Sequence, residues 1–182
     1  MKDFNRKNLL FSLCGLNCGL CSMNLGGYCP GCGGGPGNQS CAIARCSLQH
    51  NGVEYCFLCP EYPCGYYAKN PEFDSFITHQ HQLEDMKRAG EIGMEAYIRE
   101  QERKVEILLQ LLAEYNDGKR KTFYGLAVNL LPLEDLERIL KEAATSLDFQ
   151  KGALREKAAI LEEKFRQAAD EQGIILKLRK KV

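Results

Sequence analysis

The sequence predicts a mainly α protein in which a small, irregular, cysteine-rich module of residues 1–70 packs on a domain of four or five helices in residues 71–182. Three observations predict it. All ten cysteines fall between Cys14 and Cys64. The stretch CGLNCGLCSMNLGGYCPGCGGGPG, from Cys14 to Gly37, holds five cysteines and nine glycines in 24 residues and almost no aliphatic bulk. From Asp74 onward, by contrast, apolar residues recur at helical spacing.

Composition sets the outer limits. A chain of 182 residues that is 45% hydrophobic is long enough to bury a core. Lys plus Arg and Asp plus Glu are 24 each, so no net field draws the whole molecule to nucleic acid or to an anionic membrane. The apolar run Leu9 to Leu13 is short and broken by Ser12, and Leu13 is too large for the small residue expected before a signal-peptide cleavage site. No segment reaches the roughly 20 apolar residues of a membrane span. These features place the protein in the cytoplasm.

In a reducing compartment, dense cysteine points to metal rather than to disulfides. A buried free cysteine behaves as a small hydrophobe and would be scattered through a core, which the clustering rejects. Cys14, Cys18 and Cys21 form C-x3-C-x2-C, and Cys29 and Cys32 enclose Pro30-Gly31. Cys41 and Cys46 form C-x4-C, while Cys56 and Cys59 form another C-x2-C followed by Cys64. Two intervening residues let a tight turn aim both sulfurs at one ion. All ten are therefore candidate metal ligands. Structural zinc contributes about 10–16 kcal/mol per site in small peptides, more than the sparse apolar residues of this module supply by burial.

Zinc, two or more ions per chain, is the expected metal, and an iron–sulfur cluster is the alternative that cysteine-only ligation also suits. C-x3-C-x2-C is the cluster spacing of radical S-adenosylmethionine enzymes, but nothing downstream alternates strand and helix as their barrel requires.

The stretches CGLNCGLC at 14–21, CPGC at 29–32, CAIARCSLQHNGVEYCFLCPEYPC at 41–64, LEDMKRAGEIGMEAYIREQERK at 83–104 and LAVNLLPLEDLE at 126–137 carry a resemblance. By them the chain resembles, over nearly its whole length, the prokaryotic cysteine-rich family called domain of unknown function 3795. The resemblance implies zinc binding and no established activity. Members often carry a further cysteine shortly before the C-x4-C pair, where this chain has Asn38-Gln39-Ser40.

After Cys64, Gly65 to Asp74 reads as a connecting loop stopped by Pro71. Asp74 is expected to cap a helix with Phe76, Ile77, Leu83 and Met86 on one face. Gly90 and Gly93 break that pattern. Met94, Tyr97, Ile98, Val105, Leu108, Leu109 and Leu112 mark a helix of about six turns, ended by Asn116-Asp117-Gly118. Thr122 begins a shorter helix ending near Leu131, and Pro132 suits the first turn of the next, whose Leu136, Ile139, Leu140 and Ala143 face inward. Leu154, Ala158, Leu161, Phe165 and Ala168 form the last stripe, closed by Gly173, and residues 174–178 alternate weakly as a short strand would.

Other residues invite functional readings. His79 and His81 sit two apart, so on a helix they cannot grip one ion and are expected to be solvated. His50 lies among the cysteines within reach of a ligand role. Lys119-Arg120-Lys121 and Arg179-Lys180-Lys181 are basic runs of the kind that complement a helix end. Gly33-Gly34-Gly35-Pro36-Gly37 lacks the Lys and Ser/Thr of a phosphate loop.

Three functional classes follow. The first is a non-enzymatic zinc protein whose structural sites present a surface to another protein. The second is a redox carrier or thiol enzyme using Cys14 or Cys64 as a nucleophile outside the metal shells. The third is a zinc module stacking RNA bases on Tyr55, Phe57, Tyr62, Tyr66 and Tyr67. No base, oxyanion hole or substrate pocket has a recognisable spacing, which favours the first.

Overall fold

The computed structural model describes residues 3–35, 41–67 and 73–180. Among them are eight α-helices and no strand: α1 (Ser22–Leu25), α2 (Ala42–Gln49), α3 (Gln82–Ile92), α4 (Met94–Glu114), α5 (Lys121–Leu130), α6 (Leu133–Thr145), α7 (Leu147–Lys151) and α8 (Leu154–Glu171). The protein is thus mainly helical with an irregular cysteine-rich region. Residues 174–178, expected as a strand, have no ladder partner and stay irregular. No helix among the described residues is long and apolar enough to cross a membrane. The Pro71 stop signal lies outside the described residues.

The chain divides into two compact units, Met1–Glu102 with Arg179–Val182, and Arg103–Leu178. The boundary expected near residue 70 falls inside the first unit. The reason is an aromatic core that joins the cysteine-rich loops to the helices behind them. Phe11, Tyr55 and Tyr67 from the loops bury against Met86 and Ala89 of α3 and Tyr97 of α4. The Phe11 ring lies 4.7 Å from that of Tyr97 and 5.8 Å from that of Tyr55.

Polar groups fix the same junction. Tyr97 donates its hydroxyl proton to Asn17 Oδ1 at 2.9 Å, and Asn17 Nδ2 donates to Asp85 at 2.9 Å. Gln82 Nε2 donates to the Cys14 carbonyl at 2.8 Å. Gly15, at φ +92°, lets this loop touch α3 so closely that an added Cβ would sit 2.5 Å from Met86 Cγ.

Asp74 does not cap a helix. Its carboxylate is fully buried and accepts from the His79 N–H at 2.9 Å, the Arg179 N–H at 2.9 Å and the Arg179 guanidinium at 2.8 Å. This clasp organises a loop, so α3 starts only at Gln82 and Phe76 is 68% exposed rather than on its inner face. His79 lies in that loop and is half-buried, not solvated on a helix, and its Nε2 meets Ser75 Oγ at 3.1 Å. His81 immediately precedes α3 and pairs with Glu84 at 3.5 Å.

In the second unit, α8 contacts α5, α6 and α7. Its Ala158, Leu161, Phe165 and Ala168 are buried, as are Leu136, Ile139 and Ala143 of α6. Tyr124 of α5 meets Phe165 edge-on at 6.4 Å and donates to the Tyr115 carbonyl at 3.0 Å. Leu109 is 51% exposed, contrary to its expected place in the stripe of α4. The buried line of that helix is Tyr97, Gln101, Lys104, Leu108 and Leu111, and the two polar members hide its period from the sequence.

Candidate metal centre

Two of the C-x2-C pairs fold alike. Cys18–Leu20 and Cys56–Leu58 are each one 3-10 turn, closed by the Cys21 N–H on the Cys18 carbonyl at 3.0 Å and by the Cys59 N–H on the Cys56 carbonyl at 2.9 Å. The closing residues have nearly the same backbone, φ −76°, ψ 132° at Cys21 and φ −78°, ψ 133° at Cys59. Cys29 and Cys32 are held differently: a turn closed by the Gly34 N–H on the Gly31 carbonyl at 3.2 Å contains Cys32, and Cys29 precedes it. Cys41 stands exposed at the start of α2, which carries Cys46 toward its other end.

The fold sorts the thiols into two neighbourhoods. Cys46, Cys56, Cys59 and Cys64 line one small pocket of about 30 Å³, together with Leu13, Ile43, Val53, His50, Tyr62, Tyr66 and Tyr67. In the second neighbourhood, Cys14 lies near Cys32 and Cys41, and Cys18 near Cys32, Cys14 and Cys21, with Cys14 also close to Cys56 of the first. Cys29 precedes the turn that holds Cys32, and its carbonyl accepts from Asn24 Nδ2 at 3.0 Å. Among the described residues, no three His, Cys, Asp or Glu side chains are drawn together closely enough to hold an ion as they stand. All ten cysteines are free thiols. Asn38-Gln39-Ser40 lie outside the described residues.

Burial dominates the thiol chemistry. It pushes Cys14 up to about 11, although Ser12 Oγ at 3.3 Å acts in the other direction. Cys18 is pushed up to about 12 by burial and then by the neighbouring sulfur charges. Cys56 is also pushed up to about 12 by burial, against a lowering influence from the Tyr67 hydroxyl. Burial of this kind works against thiolate formation in the absence of a neighbouring cation. Cys64 belongs to the four-thiol pocket rather than standing apart. The four-thiol pocket contains one of the two matched turns, and a cation among deprotonated sulfurs would offset their crowded charge.

His50 is tied beside the pocket. Its Nδ1 donates to the Cys46 carbonyl at 2.9 Å and lies 3.6 Å from Cys46 Sγ, while Nε2 meets Glu61 Oε1 at 3.2 Å. The backbone bond to Cys46 and the Glu61 carboxylate raise its pKa. Glu61 is not legible as a site residue and Tyr67 is legible only as an aromatic stacking candidate, because neither stands at a ligand spacing; only their nearness to Cys59 and Cys64 in sequence hints at a place beside the sulfurs.

The aromatic and basic residues considered for RNA have other positions. Tyr55 and Tyr67 are buried in the first unit's core, and Phe57 and Tyr62 pack against it, leaving Tyr66 at 49% exposure. Arg120 pairs with Asp117 and Glu162, and Arg179 with Asp74.

Comparison with protein-family models, with curated proteins and with solved structures finds no match to this chain.

Proposed function

We propose that the protein binds two zinc ions in structural sites and that the module so stabilised presents a surface to another protein. Cys46, Cys56, Cys59 and Cys64 hold one ion, and the other is held from the set Cys14, Cys18, Cys21, Cys32 and Cys41. The observation that carries this reading is the repeated C-x2-C turn, one copy in each thiol neighbourhood, with the second copy opening on a pocket that four sulfurs line. When bound, zinc supplies charge neutralisation and crosslinking. The chain's own residues orient the thiolates and keep water from them. Membership of the cysteine-rich family that the sequence resembles, and a reducing cytoplasmic location for ten free thiols, belong to the same proposal. Tyr28, 78% exposed, and Leu58, 58% exposed at the tip of the second turn, are apolar groups that a protein partner would cover.

Titrating metal-free, reduced protein with cobalt(II) tests this reading. The expected result is two equivalents taken up with the intense visible bands of tetrahedral thiolate coordination, then displaced by zinc. Uptake without those bands would count against it.

A second reading is prompted by one observation, the line-up of Cys46, His50 and Glu61 as thiol, imidazole and carboxylate, although the imidazole Nδ1–H is given to the Cys46 carbonyl and so cannot take the thiol proton. The Cys46 thiol is nonetheless raised, by burial first and then by the charges of Cys64, Cys59 and Glu61. A nucleophile needs the opposite shift. Rapid, selective alkylation of Cys46 in zinc-loaded protein would move this reading ahead.

A further inference from the structure

We infer that Tyr67 is a positioning residue of the Cys46, Cys56, Cys59, Cys64 site, its hydroxyl donating a hydrogen bond to the metal-bound Cys56 thiolate. This rests on the metal reading above and assigns the site a partner that no ligand spacing reveals. Tyr67 is only 9% exposed and lines the four-thiol pocket. Its hydroxyl is buried and makes no hydrogen bond in the structure. A buried phenol ordinarily finds an acceptor, and leaving one unpaired is costly.

The geometry around it is already set. Its backbone N–H donates to the Cys64 carbonyl at 2.9 Å, and its ring stands edge-on to Tyr62 with centroids 5.2 Å apart. Cys56 lines the same pocket and packs against the same aromatic core as Tyr67. A neutral thiol is a weak acceptor, so it leaves the O–H unsatisfied. A metal-bound thiolate is charged and accepts strongly, so metal binding supplies the missing partner. Groups that hydrogen-bond to metal ligands fix ligand orientation, and losing one typically lowers affinity about 10–100-fold.

The test compares full-length wild type with Y67F, which keeps the ring and removes only the hydroxyl, and with Y66F at the neighbouring exposed tyrosine. Chelator competition should show Y67F binding one of its two zinc ions about 10–100-fold more weakly, with the other unchanged. In cobalt-loaded Y67F the sulfur-to-metal charge-transfer band should move to lower energy, since the thiolate loses a donor; a merely structural tyrosine would not move it. Y66F should match wild type in both. In unmutated protein loaded with the spin-half isotope of cadmium, the Tyr67 hydroxyl proton should exchange slowly and couple to the metal. Wild-type affinity and an unchanged band in Y67F, or no such coupling, overturn the inference while leaving the metal reading intact. Wild type that takes up no metal at these cysteines overturns both.

Discussion

Gly15 shows how much one missing Cβ decides. Its φ of +92° is strained for any other residue, and an added Cβ would meet Met86 Cγ at 2.5 Å and the Gln82 carbonyl oxygen at 2.7 Å. Met86 can turn away, but the backbone oxygen of α3 cannot. Gly15→Ala should therefore cost about 2–5 kcal/mol, combining left-handed strain with overpacking, read as a fall in the denaturant midpoint. Asp74 offers a second test with a defined sign. Burial alone would raise its pKa, but the Arg179 guanidinium and the N–H groups of His79 and Arg179 outweigh burial and hold it below 3.8. Its contribution is thus complete above the unfolded value and is lost as pH falls through the depressed folded one. Asp74→Asn should cost about 2–3 kcal/mol at neutral pH, and the gap between variant and wild type should narrow as pH falls below about 4. A gap that widened on acidification would contradict this.

At the scale of elements, regular period was legible and irregular packing was not. The last helix, its inward residues and its stop near Gly173 follow from spacing alone, because a 3.6-residue stripe reports burial directly. In α4 the same logic placed Leu109 inside, because Gln101 and Lys104 occupy buried positions that read as solvent-facing. Lys104 is satisfied there by the Asn129 carbonyl at 3.3 Å, and its apolar stem accounts for the burial. Asp74 read as a cap because its chief partner, Arg179, stands 105 residues away. In the module, cysteine spacing announced the turns, whereas the sorting of thiols into two neighbourhoods depends on loops that have no period. If the turns are the ligand units, Cys59→Ser should lower bound zinc from two ions to one per chain, while Tyr28→Ala should leave it at two. Equal stoichiometry in wild type and Cys59→Ser would remove the second turn from the site.

Over the whole molecule, the two units draw on different sources of stability. The second buries Ile107, Leu108, Leu111, Leu136, Ile139, Leu161 and Phe165 among helices and contains none of the ten cysteines. The first joins its loops to α3 through an aromatic core bordered by Cys14, Cys56 and Cys64. Chelation under reducing conditions should expose the first unit, α3 included, to protease and leave a resistant fragment beginning near residue 103. A fragment beginning near residue 74 would mean that α3 does not depend on the cysteine-rich loops. The central claim is tested most directly by elemental analysis of protein purified without added metal, with iron, labile sulfide and zinc measured on one sample. The account predicts a colourless protein with two zinc ions per chain. A brown protein with iron and sulfide in excess of zinc would contradict it.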